Sequence, residues 1–111
     1  MRVSFWMALF ALTLLMGACT HSKPKPLVPL ELAYGAKPDT IALNGQATQA
    51  FLAGQMAKAK NLFAQVVAAA PDSGQAHYNY ALSLNALGQT DQARQEFITA
   101  ANLAPGDKVI W

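Results

Sequence analysis

Between residues 40 and 103 the apolar positions recur at steps of three and four, the spacing that puts side chains on one face of a helix. Ala76, His77, Tyr80, Ala81, Leu84 and Leu87 form one such stripe. Ala93, Phe97, Ala100, Ala101 and Leu103 form the next. The pattern predicts a helix over about 74–87 and a second over about 90–103. Gly88 falls between them, where glycine takes the left-handed C′ conformation without strain. Asp72 and Ser73 precede the first helix as candidate N-caps, and Thr90 and Asp91 stand in the same relation to the second. Pro105 and Gly106 then stop the pattern, and Asp107 is a candidate cap for whatever follows.

The same arrangement is written one unit earlier. An offset of 34 residues pairs Ala76 with Ala42, Ala81 with Ala47, and Gly88-Gln89 with Gly54-Gln55. It also pairs Ala93 with Ala59, Phe97 with Phe63, and Ala104-Pro105 with Ala70-Pro71. A helix–turn–helix unit of that period is the mark of a tetratricopeptide repeat. By these residues the chain resembles the tetratricopeptide-repeat (TPR) family over roughly residues 40–111. The resemblance implies an all-α fold of two helix–turn–helix hairpins, a short α-solenoid, with the start of a third. It also implies roles for the matched positions. Ala81 and Ala93 let paired backbones approach, Phe97 fills the space beyond, Gly88 turns the chain, and Pro105 separates units. Ala47, Ala59, Phe63, Gly54 and Pro71 take those places in the earlier unit. This chain departs from the family at the fourth position, a large aromatic there but Leu43 and His77 here. The seventh, usually leucine, is Gln46 and Tyr80. The alternative is an Ala-rich pair of helical hairpins that happens to share the period.

The N-terminal pattern is different in kind. Met1-Arg2 is followed by an apolar run, Val3–Met16, broken only by Ser4 and Thr13. Its length suits a signal-peptide core and falls short of the roughly 18–20 residues of a spanning helix. It leads into Met16-Gly17-Ala18-Cys19, which resembles a bacterial lipoprotein signal. The resemblance implies cleavage of residues 1–18, lipid on Cys19, and anchoring in the cell envelope. Thr20, in place of an aspartate, favours the outer membrane over the inner. The alternatives are an uncleaved anchor or a plain secretory signal with an incidental cysteine.

Residues 19–38 read as a Pro- and Lys-containing tether, since Pro24, Pro26, Pro29 and Pro38 oppose helix. Leu27, Val28, Leu30, Leu32 and Tyr34 are more apolar than a spacer needs. Three fates are open to them: folding back on the repeats, a short helix before Gly35, or contact with a partner. Unit 1 is then 39–72, with Asp39 or Thr40 as cap and helices to about Ala53 and over about 56–70. Unit 2 is 73–106, and residues 107–111 begin a further helix or cap, with Trp111 at its fourth position. Ile98 and Ala101 face where a next hairpin would pack. Their expected cover is Val109-Ile110-Trp111, residues 27–34, or another chain.

Charge and chemistry narrow the function. The net charge is +2, and loss of Arg2 with the leader leaves +1, so nucleic acid is not an indicated partner. One cysteine excludes an intrachain disulfide and a multi-cysteine metal site. His77 lies in an apolar stripe, which reads as a packed ring rather than a ligand or base. Ser22, Ser73 and Ser83 lack a general base, and Glu31 and Glu96 are not a recognisable carboxylate pair. No enzyme, metal or cofactor is expected, apart from the covalent lipid. In the family the first helices line a concave groove. Here the groove residues would be Asn44, Thr48, Phe51, Gln75, Tyr78, Asn79, Leu82 and Asn85. Neither first helix carries a Lys, Arg, Asp or Glu between Thr40 and Gly54 or between Gly74 and Gly88. The groove is therefore suited to a peptide held by amide hydrogen bonds and apolar pockets. Alternatively, Tyr78 and Leu82 cover a neighbouring element of the same chain. These readings define an envelope adaptor for protein partners, of the kind that serves pilus, secretion or envelope assembly. A self-associating subunit that completes a solenoid is one alternative. A soluble periplasmic peptide binder is another, should Cys19 not be acylated.

Overall fold

The computed structural model describes residues 27–103 of the chain. The expected leader 1–18, Cys19, Ser22, Pro105 and the expected further helix or cap at 107–111 lie outside the described residues. Among the described residues four helices follow one another: α1 (Pro38–Leu52), α2 (Met56–Ala69), α3 (Gly74–Ala86) and α4 (Thr90–Leu103). Each packs on the next, α1 on α2, α2 on α3 and α3 on α4. The result is two stacked helical hairpins, the all-α arrangement expected from the period.

The two hairpin turns are built alike. After α1, Gly54 N–H donates to the Phe51 carbonyl at 3.0 Å and Gln55 N–H to the Ala50 carbonyl at 2.9 Å. After α3, Gly88 N–H donates to Asn85 at 3.0 Å and Gln89 N–H to Leu84 at 2.9 Å. This pair of bonds satisfies the orphan carbonyls at the helix end and demands a left-handed C′ residue. Gly54 and Gly88 supply it, with φ of 79° and 80°.

Small residues set the spacing inside each hairpin. Ala47 and Ala59 in the first, and Ala81 and Ala93 in the second, are buried, because close backbones leave no volume for a larger side chain. Phe63 is wholly buried with Ala47, Ala50 and Ala59, and Tyr80 of the second hairpin packs on that cluster. Tyr80, at the position where the family usually has leucine, thus joins the hairpins.

The helix starts differ from the sequence expectation in two places. α1 begins at Pro38, with Lys37 in the cap position and no side-chain cap. Proline at the first helical position has φ already set and gives up no needed N–H, so Asp39 and Thr40 fall inside the first turn. α4 begins at Thr90, and Ala93 N–H donates to the Gln89 carbonyl. Thr90 and Asp91 are therefore first-turn residues, and the Asp91 carboxylate sits near the positive end of the helix dipole. Between the hairpins Ser73 is the cap, its Oγ accepting from Ala76 N–H at 3.1 Å. Among the described residues no helix is long and apolar enough to cross a membrane.

Candidate partner groove

Residues 27–34 fold back on the repeats. Ala36 N–H donates to the Ala33 carbonyl at 3.2 Å, and Gly35 at φ 96° allows the reversal that joins this strap to α1. The short helix entertained before Gly35 is absent. Along the strap Leu30 and Leu32 are half-buried while Glu31 and Ala33 are exposed, the two-residue alternation of an extended chain. Leu30 packs against a cluster of Tyr78, Leu82, Ala100 and Ala101, which Phe51 and Phe97 also meet.

Asn79 is the centre of this contact. Its side chain is fully buried. Its Oδ1 accepts from Leu30 N–H at 2.7 Å, and its Nδ2 donates to the Leu30 carbonyl at 2.8 Å. The same Nδ2 donates to Asn44 Oδ1 at 3.0 Å, and Asn44 Nδ2 donates to the Leu30 carbonyl at 3.1 Å. Two carboxamides from successive first helices thus hold both main-chain polar groups of one residue. A buried amide is tolerated only when such partners are present, and this one has them from outside its own helix. Thr48 donates from Oγ1 to the Asn44 carbonyl one turn back at 2.9 Å. It also lines a cleft of about 720 Å³ between the strap and α1, with Ile41, Asn44 and Gly45.

Of the eight residues expected to line the groove, Asn44 and Asn79 bond Leu30, Tyr78 and Leu82 belong to the cluster on which it packs together with Phe51, and Thr48 lies beside them. Two are placed elsewhere. Gln75 sits in the first turn of α3, where Ser73 Oγ donates to its Oε1 at 3.5 Å. Asn85 is in the last turn of α3 and lines a separate cleft with Thr90, Arg94, Phe97 and Ile98 of α4. Of the two readings open for Tyr78 and Leu82, the structure shows the second: they cover a neighbouring element of the same chain, the strap at Leu30.

The Tyr78 ring meets Phe97 edge to face, with centroids 5.5 Å apart at 63°, a favoured aromatic geometry. Burial raises the Tyr78 phenol above its ordinary pKa. His77 faces away from this cluster of contacts. Its Nδ1 lies 2.6 Å from Glu96 Oε2, and its Nε2 lies 2.8 Å from the Pro71 carbonyl. It ties the inter-hairpin turn to α4. Ser83, considered as a nucleophile, is buried and donates to the Tyr80 carbonyl at 2.7 Å. Among the described residues no group of three His, Cys, Asp or Glu converges as a metal site would require.

The sequence pattern missed the Asn79 contact and the His77–Glu96 pair. Both had a signal in the offset of the repeats. Asn79 replaces Gly45 of the earlier unit, and His77 with Glu96 replaces Leu43 with Leu62: polar groups stand where the first hairpin has none.

Stacked helical hairpins with matched turns define a short α-solenoid. The tetratricopeptide repeat family model matches residues 50–111, more than half of the chain, and the protein belongs to that family. Repeats of this kind are modules of protein–protein interaction, typically without enzymatic activity. No curated protein and no solved structure matches the chain.

Proposed function

We propose that the protein is a lipid-anchored adaptor of the bacterial cell envelope whose concave face captures an extended stretch of a protein partner. One observation carries the capture: Asn79, with Asn44, pairs with the main-chain N–H and carbonyl of a residue in an extended segment. Those groups are common to every peptide, so the device recognises a backbone and leaves selectivity to the apolar pocket beside it. Support for the anchor is independent. It rests on the apolar run Val3–Met16 leading into Gly17-Ala18-Cys19, with several acyl chains on the cysteine holding the chain to a bilayer. Thr20 favours the outer membrane, with the repeats facing the periplasm. Pilus, secretion and envelope assembly are the settings by analogy with similar lipoproteins.

The test is affinity capture from envelope extracts with the full chain and with Tyr78→Ala/Asn79→Ala. The substituted chain is expected to keep its helical circular dichroism and lose its partner. Undiminished capture sinks the groove. Fractionation of Cys19→Ser tests the anchor separately, with transfer from membrane to soluble fraction expected. A soluble periplasmic binder is the reading if wild type is already soluble. A second reading, a self-associating subunit, is favoured by one feature: Ile98 is 54% exposed on α4, beside the cleft where a further hairpin would stack. Sedimentation over a range of concentrations separates it from the adaptor, which stays monomeric.

A further inference from the structure

We infer that the strap is a built-in competitor, an in-cis peptide that must leave the concave face before a partner's extended segment can enter. The inference rests on the groove reading above and specifies how that groove is regulated. The occupant that displaces the strap is an extended peptide with an apolar side chain at the place of Leu30.

Four observations support displacement over a permanent structural role. The polar contacts that Asn79 and Asn44 make to the strap are all to the main chain of a single residue, Leu30, so a foreign peptide offers the same donor and acceptor. The rest of the strap is loosely seated: Leu27 is 64% exposed, Val28 49%, and the Tyr34 ring is open to solvent. Few buried contacts per ordered residue mark a segment that opens at low free energy. A cleft of about 720 Å³ remains between the strap and α1, so the strap does not fill the face it occupies. Finally, the strap is joined to the repeats by the turn at Gly35, and α1 starts afresh at Pro38. The strap can therefore swing out at a glycine hinge without unwinding a helix.

The consequence is a threshold. A tethered segment competes at a high effective concentration, so weak or non-specific peptides are excluded while a partner with a better apolar side chain succeeds. Self-occupancy also keeps the Asn79 carboxamide and the pocket around Tyr78 and Leu82 covered when no partner is present.

The probe is the nonapeptide of residues 27–35, titrated into the full-length chain and followed by fluorescence anisotropy. Leu30→Gly, which removes the apolar side chain but keeps the backbone, is expected to bind it at least tenfold more tightly than wild type. Adding Asn79→Ala to Leu30→Gly is expected to abolish that binding. Equal affinity for wild type and Leu30→Gly overturns the inference, as does binding that survives Asn79→Ala. Hydrogen exchange of the unsubstituted protein gives a second measure that needs no variant. Saturating peptide should accelerate exchange of the Leu30 amide at least tenfold while the α3 amides are unchanged; no acceleration overturns the inference. A dimer that forms with concentration and is lost in Leu30→Gly also overturns it, by placing the strap on a second copy. If the strap is not displaced but Tyr78→Ala/Asn79→Ala still loses the partner, only the competitor falls. If that double variant keeps its partner, the groove itself is disproved.

Discussion

His77 and Glu96 join α3 to α4 across a 2.6 Å contact with side chains only 11% and 22% exposed, at positions where the first hairpin carries Leu43 and Leu62. A hydrogen-bonded pair in so dry a place gains less than its geometry suggests, because both groups are drawn from water. Removing one partner leaves the other stranded, whereas an apolar pair of similar volume does not. His77→Leu alone and Glu96→Leu alone should therefore each lower stability by about 1–3 kcal/mol, while the double substitution should restore most of it. Urea unfolding of all four proteins in a double-mutant cycle measures the coupling, and strictly additive losses would show that the pair does not act as a unit. Tyr78 makes a prediction in pH. Its phenol is raised by burial, so the folded state keeps the proton to higher pH than the unfolded chain, whose tyrosines titrate near about 10. Stability from this group is complete below that value and falls as pH rises through the raised pKa. In alkaline urea titrations wild type should lose stability faster than Tyr78→Phe; parallel curves count against it. At this scale the sequence identified His77 as a packed ring but not its partner, because a contact nineteen residues away across a turn leaves no mark in a single stripe.

The helices were the most legible part of the chain, since stripes, caps and turn glycines all point to the same four elements. What escaped was the starting point of two of them, α1 and α4. By composition Pro38 belongs with the tether, yet its fixed φ makes it a good first residue for α1. The glycines allow the element-level reading to be checked by one type of substitution with opposite signs. Gly54 and Gly88 have positive φ, and a Cβ at either would meet nothing within 4 Å. Any penalty is thus backbone strain alone, about 1–2 kcal/mol for an L-residue held in the left-handed region. Gly45 lies within α1 with no neighbour within 4 Å of a would-be Cβ, and its φ is not positive. There alanine removes backbone entropy from the unfolded chain and should stabilise by about 0.5–1 kcal/mol. Thermal unfolding should move down for Gly54→Ala and Gly88→Ala and up for Gly45→Ala. A common direction for all three would contradict the turns as described.

In the whole molecule, a stack of hairpins in which each element packs on the next is nearly one-dimensional, and the value of a core residue depends on whether a further layer covers it. The period made the stacking legible from residues alone. The strap was not legible in the same way: its leucines announced an apolar segment, but three destinations fitted the pattern. Only the pairing of Leu30 with a buried asparagine 49 residues away decided among them. The matched phenylalanines now report on the last layer. Phe63 is wholly buried, with Tyr80 of the next hairpin packed on its cluster. Phe97 is half-buried, with Tyr78 against its edge and a cleft of about 440 Å³ beside it, shared with Ile98 and Ala101. Phe63→Ala should cost about 3–5 kcal/mol, the figure for truncating an enclosed aromatic ring. Phe97→Ala should cost about 1–2 kcal/mol with the cleft open, since less surface is removed from contact. The second figure is also a gauge of occupancy. A partner or a second copy seated on α4 encloses Phe97 as Tyr80 encloses Phe63, and the cost of its truncation then rises toward that of Phe63. Equilibrium unfolding of both variants over a range of protein concentrations measures this. A gap between them that closes as concentration rises identifies self-association at the exposed end, and equal costs at the lowest concentration would mean the ring is already enclosed within one chain.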